Sequence, residues 1–176
     1  MRTRRKPNGS GDLVKASHLS DAAGRFKPEE LPGVLAHQPR HHPESPYKVP
    51  VDEVLRRAKH ARKVTNSNCV GGALYIVGAA GKDELIPSTQ LERIESFLVE
   101  VERPNDASVI AIAPQEPNVK RIYHMMAIHP EKRDTVFFRE YGGSMREENR
   151  DALINRLVAE AQIGMLNVKV KYYRPK

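Results

Sequence analysis

The sequence predicts an α+β domain over residues 51–176, with helices packed on a small antiparallel sheet. Three observations carry that expectation. Apolar residues recur at helical spacing from Val51 and again from Asn149. Three β-prone runs between them are joined by short loops containing Pro, Asn or Asp, which favours an antiparallel meander. A last segment, Val168 to Tyr173, alternates apolar and basic residues as a half-buried strand does.

Residues 1–50 read as a mostly irregular, basic, Pro/His-rich extension. Seven of the 13 prolines precede Val51, and Leu35 to Pro50 carries too few aliphatic side chains to fold alone. Pro28-Glu-Glu suits a first helical turn, so one short helix is expected there. Arg2, Arg4, Arg5 and Lys6 form a basic tail with no interleaved aromatic residue, which reads as a solvated arm more readily than as a single-strand binder.

From Val51 the residues Val54, Leu55 and Ala58 form the apolar stripe of a helix, and Arg56, Arg57, Lys59, His60, Arg62 and Lys63 cover the rest. Thr65 to Asn68 supplies turn and N-cap residues, and the apolar segment Cys69 to Gly78 follows. This segment reads as a helix with Cys69 at its N-terminus. A buried strand is the alternative, because Gly71-Gly72 lowers helix propensity by roughly 2 kcal/mol relative to alanines. Leu91, Ile94, Phe97, Leu98 and Val101 mark a helix, or a helix running into a strand. The β runs are Ala107 to Ala113, Ile122 to Ile128 and Thr135 to Glu140, and Leu153, Ile154, Leu157 and Val158 face inward from a helix over 149–163.

The 176 residues suit one ordinary domain, and the 39% hydrophobic fraction is low enough that part of the chain is not packed. No apolar run is long enough to span a bilayer and no secretory signal follows the N-terminus, so the expected address is cytoplasmic. A single cysteine cannot form an internal disulfide and leaves a thiol free for chemistry. The net charge of +7 favours an anionic partner.

A cysteine at a helix N-terminus meets backbone N–H groups and the positive end of the helix dipole, which favour the nucleophilic thiolate. It then needs a histidine on a rigid neighbouring strand. Of the seven histidines, His18, His37, His41 and His42 fall in the extension and His60 on the basic helix. His124 shares a strand face with Met126 and Ile128, whereas His129 ends the strand before Pro130, so His124 is the better partner. His37, His41 and His42 lack nearby cysteines or paired carboxylates, so no metal site is expected, and no glycine spacing forms a nucleotide fingerprint. No cofactor is expected.

Taken in order, Asn68-Cys69 with Ala73-Leu74-Tyr75, Asp106 to Ile112, His124 to Ile128, and Thr135 to Gly143 resemble the NlpC-like branch of papain-fold cysteine peptidases and amidases. The resemblance covers about 66–143 and rests on the order of short pieces. It implies a papain-like fold and a hydrolase or acyltransferase acting on an amide or ester bond of peptide-like substrates. In it, Cys69 would form a thioacyl intermediate while His124 carries the proton. The family's third polar position aligns with Phe138 here, so Glu140, two residues on and on the same face, is the expected orienter of His124. Asn68 is expected to cap the helix or to donate to an oxyanion. The alternative is a non-catalytic protein of the same fold that binds nucleic acid or another anionic partner through Arg56, Arg57, Lys59, Arg62 and Lys63.

Overall fold

The structure of the chain is a computed structural model that describes residues 45–116, 118–140 and 143–176. The described residues form an α+β fold of four helices and a six-stranded antiparallel open sheet. The helices are α1 (Val51–Ala61), α2 (Cys69–Ile76), α3 (Leu91–Phe97) and α4 (Arg150–Ile163). The strands are β1 (Leu98–Val101), β2 (Val109–Pro114), β3 (His124–Ile128), β4 (Thr135–Phe138), β5 (Arg146–Asn149) and β6 (Val168–Pro175). Their order across the sheet is β1-β6-β2-β3-β4-β5.

The expected meander is the run β2-β3-β4. Val109 pairs with Ala127 and Ile112 with His124, and Ala127 in turn pairs with Phe137. The sheet is wider than the meander on both sides. β5, of sequence Arg-Glu-Glu-Asn, extends one edge, and β6 returns to lie between β1 and β2.

Alternation divides the sheet into two faces. Val109, Ala111, Ala113, Met125, Ala127 and Phe137 belong to the core shared with α1 and α2. Ile110, Ile112, Met126, Ile128, Val136 and Phe138 belong to a second core, closed by Leu153 and Leu157 of α4. A strand covered on both faces should be apolar throughout, and all six residues of β2 are buried.

α2 is the helix, rather than the strand, that its sequence also allowed. Every residue from Val70 to Ile76 is buried, so its apolar surface is covered all round. Its glycines permit that depth. A Cβ on Gly71 would lie 1.6 Å from the Glu84 carbonyl oxygen, and one on Gly72 would lie 2.5 Å from Met145 Cε. Burial of Val70, Leu74 and Ile76 contributes on the order of 2 kcal/mol each, enough to offset the propensity cost of the glycine pair.

Residues 1–44 of the expected extension lie outside the described residues, as do the short helix expected near Pro28 and the candidate metal residues His37, His41 and His42. Residues 45–50 pack on the domain. Tyr47 is buried, and its hydroxyl donates to the Ile128 carbonyl at 2.9 Å. Burial pushes the Tyr47 phenol up to about 12, with Arg133 opposing, so it stays a neutral donor. Among the described residues, no helix is long and apolar enough to cross a membrane.

Candidate functional site

Asn68 fixes the start of α2. Its Oδ1 accepts from the Gly71 N–H at 2.9 Å, as an N-cap does, and also from the Ile86 N–H at 3.4 Å. Its Nδ2 donates to the Ile86 carbonyl at 2.7 Å. Ser67 Oγ joins the same loop through the Glu84 carbonyl at 3.2 Å. The amide of Asn68 thus pins the loop of residues 81–90 to the helix. One of its two amide N–H groups is engaged there.

Cys69, the first residue of α2, lines a cleft of about 330 Å³ with Asn68, Leu85, Pro87, Ser88, Thr89, Tyr123 and His124. Burial is the largest influence on the thiol and pushes its pKa up. The backbone N–H groups of Met125, Val70 and Cys69 itself, and then the charge of Arg139, pull it down by less. The donors expected at a helix N-terminus are present, yet desolvation outweighs them. The net direction favours the thiol over the thiolate.

His124 opens β3 and lines the same cleft, but no hydrogen bond joins its imidazole to Cys69 among the described residues. Strand parity accounts for that. His124 is paired with Ile112 and alternates with Met126 and Ile128, all three in the core closed by α4. Cys69 packs against the opposite core, beside Met125 and Ala127. The imidazole lies 5.6 Å from the Phe138 ring, centroid to centroid, and 4.8 Å from Tyr123. Desolvation lowers its pKa, Glu160 and Glu140 counter this, and Arg156 reinforces it. Its Nδ1 is buried without a hydrogen-bond partner.

Glu140, expected to orient His124, accepts instead from Arg146 at 2.7 Å and Arg156 at 3.3 Å, in an exposed cluster that also contains Glu148. Its influence on His124 is through charge alone. Phe138, not a polar residue, meets the His124 ring. His129 packs against Phe137 at 5.0 Å, and its Nδ1 accepts from the Glu131 and Lys132 N–H groups, a strand-end structural role.

The basic helix is less free than its composition suggested. Arg56 and Arg57 both bind Glu53, holding its carboxyl down to about 2, and Arg62 binds Glu147 at 2.6 Å. Arg57 also donates to the Tyr75 and Ala80 carbonyls at 2.9 and 3.1 Å, satisfying the C-terminal end of α2. Lys59 and Lys63 remain exposed.

Two arginines escaped the sequence reading. Arg139 is fully buried, makes a two-point ion pair with Asp83 at 2.9 and 3.1 Å, and donates to the Ala61 carbonyl. Arg121, just ahead of β3, has a buried Nε with no partner. The signal available for Arg139 was a charge directly after three apolar strand residues, the position at which a side chain still points into the core. Among the described residues, no group of three or more His, Cys, Asp or Glu side chains could hold a metal ion. No protein-family model, curated protein or solved structure matches the chain.

Proposed function

We propose that the domain is a ligand-binding module with papain-like element order, taking its ligand in the cleft at the N-terminus of α2 with Cys69 as a neutral wall residue. The observation that carries this reading is the lack of a hydrogen bond between Cys69 and His124, which share one cleft while the imidazole meets Phe138 and the thiol packs beside α2. A cysteine hydrolase needs the imidazole within hydrogen-bond reach of the thiol, either to form an ion pair or to accept its proton. Burial works against the ion pair, since it disfavours both the Cys69 thiolate and the His124 imidazolium. The cleft itself suits an uncharged segment of a ligand, with Leu85, Pro87 and Tyr123 as apolar walls and Ser88 and Thr89 as polar ones. A reducing compartment, the cytoplasm by default, would keep the sole thiol free.

A second reading, a cysteine hydrolase or acyltransferase, is favoured by the occurrence of Cys69 and His124 in one cleft and by the N–H groups at the thiol. It requires the imidazole to turn from Phe138 towards the thiol. Binding of nucleic acid through α1 is favoured less, since Arg56, Arg57 and Arg62 are already ion-paired.

Alkylation of Cys69 by iodoacetamide across pH 5 to 9 tests the choice. The binding reading expects a rate that rises only towards and above the ordinary thiol value of about 8.5, unchanged in His124→Ala. Rapid alkylation near neutral pH, slowed in His124→Ala, would sink that reading and establish the hydrolase.

A further inference from the structure

The Cys69 cleft continues along the protein surface. Thr89 lines both it and a second depression that includes Gln90, Leu91 and Lys120. Leu91 in turn lines both the second depression and a third cavity of about 110 Å³, which includes Arg121, Ile122 and Lys169. Through these shared residues the three lie side by side along the seam between residues 87–91 and 120–124, and are taken together as one groove. The seam is closed underneath by the Ile122 N–H, which donates to the Ser88 carbonyl at 2.9 Å.

At the far end of the groove, the Arg121 side chain makes no hydrogen bond or ion pair with any described residue, and its Nε is buried without a partner. The other arginine along the groove, Arg93, is engaged with Glu84 and Gln90. Lys171, which also lines the third cavity, is held by Glu100 at 2.7 Å. Lys169 lines it without an ion pair among the described residues. A partly buried guanidinium with an unmet donor is costly, and a planar fork of donors matches a carboxylate. Glu95 and Glu116 line the same cavity and repel a doubly charged anion more strongly than a singly charged one.

We propose that Arg121, assisted by Lys169, is the anchor for an organic monocarboxylate, and that the ligand of this groove carries its acid at the Arg121 end and an uncharged segment towards Cys69. The assignment rests on reading the groove as a binding site and names the class of ligand it takes. It does not depend on whether Cys69 is activated.

The test is a titration of the full chain with N-acetylglycine, N-acetylglycinamide and inorganic phosphate, read on the Arg121 Nε–H resonance in ¹H–¹⁵N correlation spectra. A saturable shift with the acid, about tenfold or more weaker with the amide and weaker with phosphate, is expected. Arg121→Gln should abolish acid binding while backbone resonances elsewhere stay in place, and Lys169→Gln should weaken it several-fold. Equal response to acid and amide, tighter binding of phosphate, or no response of Arg121 to the acid overturns the proposal. Should Arg121→Gln fail to fold, the acid-against-amide comparison in the unaltered chain decides alone. An activated Cys69 in the alkylation experiment would remove the non-catalytic reading and leave the Arg121 anchor standing.

Discussion

The two faces of the sheet are closed by different chemistry. On one face, α2 has no charged residue, sinks until every position after Cys69 is buried, and meets small side chains such as Ala111 and Ala127. Beside it lies a fully buried Arg139–Asp83 pair. On the other face, α4 presents a narrow stripe of Leu153, Leu157 and Ala161 to larger residues such as Met126 and Phe138, with an exposed network of charges at its side. Close approach on the first face depends on glycine and leaves little tolerance, whereas the second is an ordinary amphipathic docking. The thiol packs with the first face and the imidazole meets Phe138 of the second, although both line one cleft at the start of β3.

The comparison predicts unequal sensitivity. Asp83→Ala leaves Arg139 as an unpaired buried cation and should cost about 3–5 kcal/mol, measured by urea unfolding. A loss below about 1 kcal/mol would mean that water reaches the pair and that the first face is less tightly closed than described. Leu157→Ala on the second face should cost about 2–4 kcal/mol, with α4 losing amide-exchange protection before α2 does. Simultaneous loss of protection in both helices would show that the two faces unfold as one unit.

The smallest effect is pH-dependent. His124 and His129 both have folded pKa values below their ordinary value of about 6.5, so the unfolded chain takes up protons that the folded one refuses. Their contribution to stability is complete above about pH 6.5 and is lost as the pH falls through the folded values. His124→Leu should remove the α4-face share of that loss, leaving the His129 share, and should gain on the order of 1 kcal/mol at neutral pH by deleting the unpartnered Nδ1. An unchanged pH profile would mean that His124 charges freely in the folded state.

The fold was legible wherever burial follows a simple period. The stripes of α1 and α4 and the apolar runs of β2, β3 and β4 could be read directly, because each buries one stripe or one face against a single core. β5 could not, since an exposed edge strand of Arg, Glu, Glu and Asn has no apolar alternation to detect. The candidate site shows a subtler limit. Parity grouped His124 with Met126 and Ile128; the latter two share the core closed by α4, and the His124 ring meets Phe138 of that core. Parity says which residues share a face, not which helix covers it, and that depends on how α2 and α4 pass on either side of the sheet. Neither Arg139 nor Arg121 gave a sequence signal stronger than that of a solvated charge, because their importance comes from non-local partners or the lack of them.

The position of β6 has a consequence for how the domain assembles. β1 meets the rest of the sheet through β6, with Leu98 opposite Pro175 and Val109 opposite Tyr173 on the other side. A strand formed late in the chain therefore lies inside the sheet, and the first strand formed waits for it. Such long-range pairing raises contact order and slows folding, and until β6 arrives the apolar flank of β2 is an open edge. An open apolar edge of that kind invites pairing with a neighbouring chain, and the alternating lysines at positions 169 and 171 are the type of residue that discourages it.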